Sequence, residues 1–180
     1  MFLIVLPNHS PRQVAIRCTP KPGDLGQIVY LHGVIYAQEY GLDWNLEAYV
    51  AEGLARCVSN FDPTQDHLWL AEVSGRLVGC IGVVGLPGHQ AQLRWFLVHP
   101  HWRGQGLGRR LMQTALDFCA ERGLSPVFLW TFSELQAAAH LYESFGFRKT
   151  EEKTHHIWGR LLTEVRYECD IIPWDPNVNG

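Results

Sequence analysis

The residues most able to do chemistry stand together in "VHPHWRGQGLGRRL", Val98 to Leu111, where three glycines alternate with other residues and arginines flank them. An apolar run precedes this stretch and a helical pattern follows it, so the glycines fall on a strand-to-helix loop. Glycine lets successive backbone N–H groups turn toward a phosphate without Cβ collisions, and the helix N-terminus adds about half a positive charge. Two other phosphate loops do not fit. No Lys follows these glycines as a Walker loop requires, and the spacing is GxGxG rather than the GxGxxG that opens a first βαβ unit. What remains is RxxGxG, given by Arg103, Gly106 and Gly108, with Gly104 beside them and Arg109 and Arg110 supplementing the charge. Such a cradle holds a pyrophosphate without magnesium chemistry. The competing reading is a turn rich in glycine only so that strand and helix pack closely.

The elements that must carry this loop are legible from period and punctuation. "QVAIRC" is a short strand, and "TPKPGD" closes it and offers Asp24 as a helix N-cap. A helix follows with Ile28, Leu31 and Ile35 at helical spacing and Gly41 as its stop. A second helix from Asp43 carries Leu46, Tyr49, Val50, Leu54 and Val58 on one face. "HLWLAEV" and "RLVGCIGVVGL", joined by "SG", form a hairpin, and "AQLRWFLV" adds a third strand to the meander. Positions 107, 111, 115, 118 and 119 mark a helix ended by Gly123. "PVFLWTF" is continuously apolar, as for a strand buried on both faces. Leu135, Ala138, Leu141, Tyr142 and Phe145 mark another helix, and "FRKTEEKTHHIWG" and "LLTEVRYECDI" close the chain as strands. The order is β α α β β β α β α β β. It predicts an α/β (α+β) fold: a mixed, mostly antiparallel twisted sheet of about seven strands with helices on both faces. One domain is expected over 1–180, with its core at 12–172 and short tails.

Composition narrows the partners. Hydrophobic residues make up 47% of the 180, with seven Trp, eight Phe and six Tyr, which is ample for a packed core. A net charge of -3 excludes a general nucleic-acid or anionic-membrane binder, because those partners demand a basic surface. The five cysteines are odd in number and never paired as CxxC, so reduced thiols are expected and no disulfide framework. "MFLIVL" is too short and lacks the flanks of a signal peptide, which points to a cytoplasmic protein. His99 with His101, and His155 with His156, lack a third clustered ligand, so no metal is expected. Arg94 alternates with Trp95 and Phe96 on the central strand. Its fork either holds a substrate carboxylate or pairs with a neighbouring acid. Tyr36, Tyr40 and Trp44 are candidates to line the same cleft, or are core aromatics.

With the cradle and the element order in place, a resemblance appears. "LRWFLVHPHWRGQGLGRRLM" and "LWTFSELQAAAHLYESFGFRKTEE" resemble the two conserved blocks of the GNAT acyltransferase superfamily. "PGDLGQIVYLHGVIYAQEYGLDW" and "THHIWG" are more narrowly similar to the acyltransferase half of bacterial MarR/GNAT fusion proteins. No winged-helix half is expected here, since only about twenty residues precede the first helix.

The resemblance implies acetyl-CoA as co-substrate. Its pyrophosphate would lie on Arg103, Gly104, Gln105, Gly106, Leu107, Gly108 and Arg109, and its arm beside Leu97 and Val98, whose free N–H would polarise the thioester carbonyl. It implies Tyr142 as the general acid for the leaving thiolate. Where relatives contact the arm through an Asn, this chain has Phe132, with Ser133 as the replacement. The strand before the cradle lacks the carboxylate many relatives use, so the candidate bases are Glu39, His99 and His156, the last also a candidate for the acceptor wall with Tyr36, Tyr40 and Arg94. Glu39 is otherwise a solvated helix-end carboxylate, His99 a turn residue before Pro100, and Tyr142 a core tyrosine. The expected activity is N-acetylation of a small, amino-acid-like primary amine by direct attack in a ternary complex. The alternative is a non-catalytic acyl-CoA-binding or sensing module working through a protein partner. The final two strands offer an edge for a homodimer.

Overall fold

Two-residue turns and glycine stops divide the chain as their chemistry dictates. The structure, a computed structural model, describes residues 13–172. The expectations for "MFLIVL" and for the two tails fall outside these residues. Within them run β1 (Ala15–Arg17), α1 (Asp24–Tyr40), α2 (Asn45–Ser59), β2 (His67–Val73), β3 (Arg76–Leu86) and β4 (Gln90–Val98). Then come α3 (Leu107–Arg122), β5 (Val127–Phe132), α4 (Gln136–Ser144), β6 (Arg148–Ile157) and β7 (Arg160–Cys169). Ser74 and Gly75, both at positive φ, turn β2 into β3 as the "SG" signal predicts. Among the described residues no helix is long and apolar enough to cross a membrane.

The strands form one seven-stranded sheet in the order β1-β2-β3-β4-β5-β7-β6. Every neighbouring pair is antiparallel except β4 with β5, the pair that α3 connects. Because successive side chains leave a strand on opposite faces, the sheet has two cores. On one face Val83, Leu93, Val127 and Leu129 meet Leu111, Met112, Ala115 and Cys119 of α3. On the other, Leu70, Cys80, Leu97 and Leu162 meet Ile28 and Ile35 of α1 and Leu46, Val50 and Leu54 of α2. Each fully buried Leu or Ile side chain contributes roughly 1.5–3 kcal/mol. Helices on both faces are what the element order predicts.

Several local expectations are corrected. Gly23, in the left-handed region, caps α1, while Asp24 sits in its first turn and accepts hydrogen bonds from Arg17 at 2.7 and 2.8 Å. The α2 face is narrower than its apolar pattern suggests: Tyr49 and Val58 are exposed, since only Leu46, Val50 and Leu54 turn fully to the sheet. On α4 only Tyr142 of the expected stripe is buried. Strand β5 is not buried on both faces along its length: Phe128, Trp130 and Thr131 keep part of their surface because β4 parts from it. Strand β6 is the outer edge, exposed from Arg148 to His156 and studded with Lys149, Glu151, Glu152 and Lys153, charges that discourage strand addition.

Candidate active site

The cleft begins where two parallel strands stop pairing. β4 and β5 are in register only at Ala91 with Val127 and Gln92 with Phe128. On its other side β4 pairs Leu97 with Cys80 but Arg94 with Gly82, so Trp95 and Phe96 stand against Ile81 alone. This is a bulge, with Trp95 at φ 51°, and it bends β4 away from β5. A bulge also breaks the alternation of faces. Arg94 and Trp95, expected on opposite sides, both turn to the α1/α2 face, where the Arg94 guanidinium lies 5.1 Å from the Trp95 ring centre and 5.5 Å from that of Tyr49. Gly82 makes the bulge feasible, since a Cβ there would meet the Trp95 ring at 2.6 Å.

The parting leaves a cavity of about 110 Å³. His32, Tyr36 and Tyr49 line it from one face of the sheet, Met112 and Tyr142 from the other. A single cavity touches helices on both faces only because the sheet is open between β4 and β5. Trp158, at the β6–β7 turn, closes one side and packs 5.3 Å from Tyr49. The turn is held to the α1–α2 loop by the Asp43 N–H donating to the Trp158 carbonyl at 3.0 Å.

The glycine loop lies at the end of β4. After Val98 a 3-10 turn spans Pro100–Trp102, and α3 begins at Leu107 with Gly106 as its cap. Gly104 and Gly106 have φ 71° and 79°, and a Cβ on either would meet nothing within 4 Å, so the space before them is open. The Arg110 N–H is the first to find a backbone acceptor, at Gly106; among the described residues none receives the N–H groups from Gly104 to Arg109. Six successive donors at a helix N-terminus, with open space beside Gly104 and Gly106, fit a pyrophosphate. Next to them, His99 N–H donates to the Val78 carbonyl of β3, so alternate pairing turns the Val98 N–H toward β5 and the gap.

Tyr142 is buried at the gap, its ring 6.1 Å from Phe96 and 5.8 Å from Tyr167, with the Thr131 hydroxyl beside its own. Burial raises its phenol far above the ordinary value, so it stays protonated at neutral pH. Arg103 donates through Nη1 to both Glu39 oxygens, at 2.8 and 2.9 Å, and through Nε to the Val98 carbonyl at 2.9 Å. Glu39 is thus tied to the glycine loop and does not line the cavity. His99 caps the 3-10 turn, its Nδ1 accepting from the His101 N–H at 3.3 Å, and burial with the nearby His101 and Arg103 lowers its pKa. Arg109 reaches Ser144 on α4 at 2.9 Å. Ser133 lies just past β5, its hydroxyl on Glu134 at 3.1 Å. Tyr40 packs edge-on to Phe132 outside the cavity, and Trp44 is 81% exposed. Among the described residues no three His, Cys, Asp or Glu side chains cluster as metal ligands.

The histidine pair on β6 is decided by register. His156 stands opposite Leu161 and His155 opposite Leu162, the latter buried in the α1/α2 core. Cross-strand partners share a face, so His155 is on the cleft side and His156 on the far side. His155 Nε2 lies 2.7 Å from Glu164 Oε2, and Glu164 lines the cavity. Glu164, Thr131, His32 and Trp158 escape sequence reasoning. Only the alternation of β7, with Leu162 and Glu164 two apart, hints that Glu164 shares a face with an apolar partner.

The sheet opened between its parallel strands, beside a glycine-rich loop at a helix N-terminus, defines a GNAT-like acyltransferase domain. A Salmonella typhimurium acetyltransferase solved with its cofactor acetyl-CoA has this fold, with TM-score 0.65 and 20% identity over 93% of this chain and 99% of that one. Residues 32–147 match the model of the acetyltransferase (GNAT) family, and the chain belongs to that family. An uncharacterized N-acetyltransferase of Schizosaccharomyces pombe is 30% identical over 82% of this chain and 90% of its own length. Human N-acetyltransferase 8B is 35% identical over 52% of this chain and 44% of its own. The chain spans about half the length of the curated relatives it matches first.

Proposed function

We propose that this chain is an acetyl-CoA-dependent N-acetyltransferase acting on the primary amine of a small, amino-acid-like acceptor by direct attack in a ternary complex. The observation that carries it is that β4 joins two features: its residues 92–96 line the cavity, and past its end at Val98 the N–H groups from Gly104 to Arg109 find no backbone acceptor among the described residues. Acetyl-CoA, when bound, supplies an activated acyl carbon and a thiolate leaving group. The backbone from Gly104 to Arg109 takes the pyrophosphate, with Arg103 and Arg109 adding positive charge. The Val98 N–H, turned to the gap, donates to the acyl oxygen as negative charge gathers there. Tyr142, a neutral phenol at the inner end of the gap, donates its proton to the departing sulfur.

On the acceptor side, Arg94 forms no ion pair among the described residues, although it lines the cavity. A guanidinium held on two aromatic rings and lacking an acid is suited to a substrate carboxylate, which supports the amino-acid-like class. The narrower likeness to MarR/GNAT fusions rests on the first helix and the "THHIWG" turn, the segments that close the acceptor side. The missing carboxylate on β4 points to a purely acyl-CoA-binding module; Glu164 on β7 supplies one to the cavity and favours catalysis. Acetyl-CoA is expected to raise the Tm, and a panel of amines with thiol detection to show release of CoA with carboxylate-bearing amines. A Tm unmoved by any CoA compound, or stabilisation with no thiol released by any amine, defeats the proposal.

A further inference from the structure

Attack on a thioester needs a neutral amine, yet an alkylammonium has a pKa of about 10.4, so a proton must be taken up inside the cavity and carried out. We propose that Glu164 is the general base of the acetyl transfer and that His155 carries the proton from it to solvent. The inference rests on the acyltransferase reading above. Among the described residues Glu164 is the one carboxylate on the cavity wall, and His155 Nε2 is 2.7 Å from its Oε2. The side chains are graded outward: that of Glu164 is 21% exposed and that of His155 43%. A base at the wall with an imidazole on its solvent side is an exit path for a proton.

The surrounding groups leave the role to this pair. Glu39 is held by Arg103, and Glu134 is shared by Ser133 and Arg160. Lys153 stands directly across from Glu164, but its ammonium lies 4.6 Å over the Trp130 ring and pairs with Glu151. Arg166, two residues on, stacks on Phe128 and pairs with Glu168. From the other walls face Arg94 and Tyr49, the neutral His32, and the phenols Tyr36 and Tyr142, both raised by burial and protonated at neutral pH. None of these is an ionised acid.

An alkylammonium gives up two protons in becoming an amide. Glu164 accepts the first, freeing the nitrogen lone pair, and His155 relays it to water. As the C–N bond forms and the C–S bond breaks, its electron pair leaving with sulfur, Tyr142 protonates the thiolate and regains a proton from the nitrogen. One proton reaches solvent and one ends on the CoA thiol, so the reaction balances without an oxidant or metal.

The test compares Glu164→Gln, Glu164→Asp and His155→Asn in the full chain, with two acceptors: a carboxylate-bearing alkylamine and a fluorinated analogue already neutral at pH 7. For Glu164→Gln, kcat/KM for the alkylamine should fall about 100-fold at pH 7 and climb about tenfold per pH unit toward high pH, as solution deprotonation replaces the base. The neutral amine should lose less than about threefold, Glu164→Asp should recover part of the rate, and stabilisation by acetyl-CoA should be unchanged. His155→Asn should lower kcat with KM held, be rescued by added imidazole, and add nothing in the Glu164→Gln background. Equal losses for both amines, or an unaltered pH profile, overturn the assignment while wild-type turnover upholds the acyltransferase reading. A wild-type protein stabilised by acetyl-CoA that acetylates no amine overturns both.

Discussion

Arg103 Nη1 lies 2.8 and 2.9 Å from the two carboxylate oxygens of Glu39, a contact that ties the glycine loop to the end of α1 across 64 residues of sequence. The pair is partly solvated, so its worth to folding is small, about 0–1 kcal/mol. Its use is to hold the loop's arginine. Glu39→Gln should raise KM for acetyl-CoA several-fold, about 1 kcal/mol at most, and leave the pH dependence of kcat unaltered. A steady-state pH series checks this; a rate for Glu39→Gln that climbs about tenfold per pH unit toward high pH would make Glu39 the base instead.

Gly106 caps α3 at φ 79° with open space before it. Gly106→Ala should cost about 1 kcal/mol of stability from left-handed strain and weaken acetyl-CoA at least tenfold, because the new Cβ projects into the open space proposed for the pyrophosphate. Gly23→Ala is the control: φ 96°, also unobstructed, at the N-terminus of α1. It should cost similar stability with unchanged affinity, as calorimetry and urea unfolding would show.

Tyr142→Phe keeps the ring packed against Phe96, Phe147 and Tyr167 and removes only the hydroxyl. The expected stability change is within about 1 kcal/mol, the worth of one hydrogen bond, while kcat should drop about 100-fold. Unchanged kcat across pH would return Tyr142 to the core.

Arg94→Gln separates acceptors by charge. For carboxylate-bearing amines KM should rise about 10- to 100-fold, a charge-assisted contact of about 1.5–3 kcal/mol, whereas amines without a carboxylate should be unaffected. Uniform loss for both kinds would mean that Arg94 only props the bulge.

His32 is 5% exposed and donates through Nδ1 to the Ile28 carbonyl at 2.8 Å. Burial lowers its pKa from 6.5 to about 4, against the smaller opposing effect of that carbonyl. In this window the unfolded chain binds a proton that the folded one refuses, so stability is full above pH 6.5 and declines as pH falls toward 4. The loss is on the order of 3 kcal/mol. Urea midpoints at pH 7 and 4.5 should differ accordingly, and the difference should shrink in His32→Gln.

The sequence alone determined what depends on neighbours in the chain. Helical and strand periods, the Ser74–Gly75 turn, the Gly41 and Gly123 stops and the glycine loop before α3 are written within a few residues of where they act, and the fold class follows from them, as does the position of the loop proposed to hold the pyrophosphate. Tertiary structure decided what depends on pairing between distant strands. A one-residue bulge at Trp95 puts Arg94 and Trp95 on one face and opens β4 from β5, and its cause lies partly in Gly82 on another strand. The register of β6 on β7 chooses His155 over His156, because a shift of one residue exchanges the faces of a strand. Glu39 became a tether for Arg103, and Glu164 entered the cleft, through contacts that no local pattern encodes.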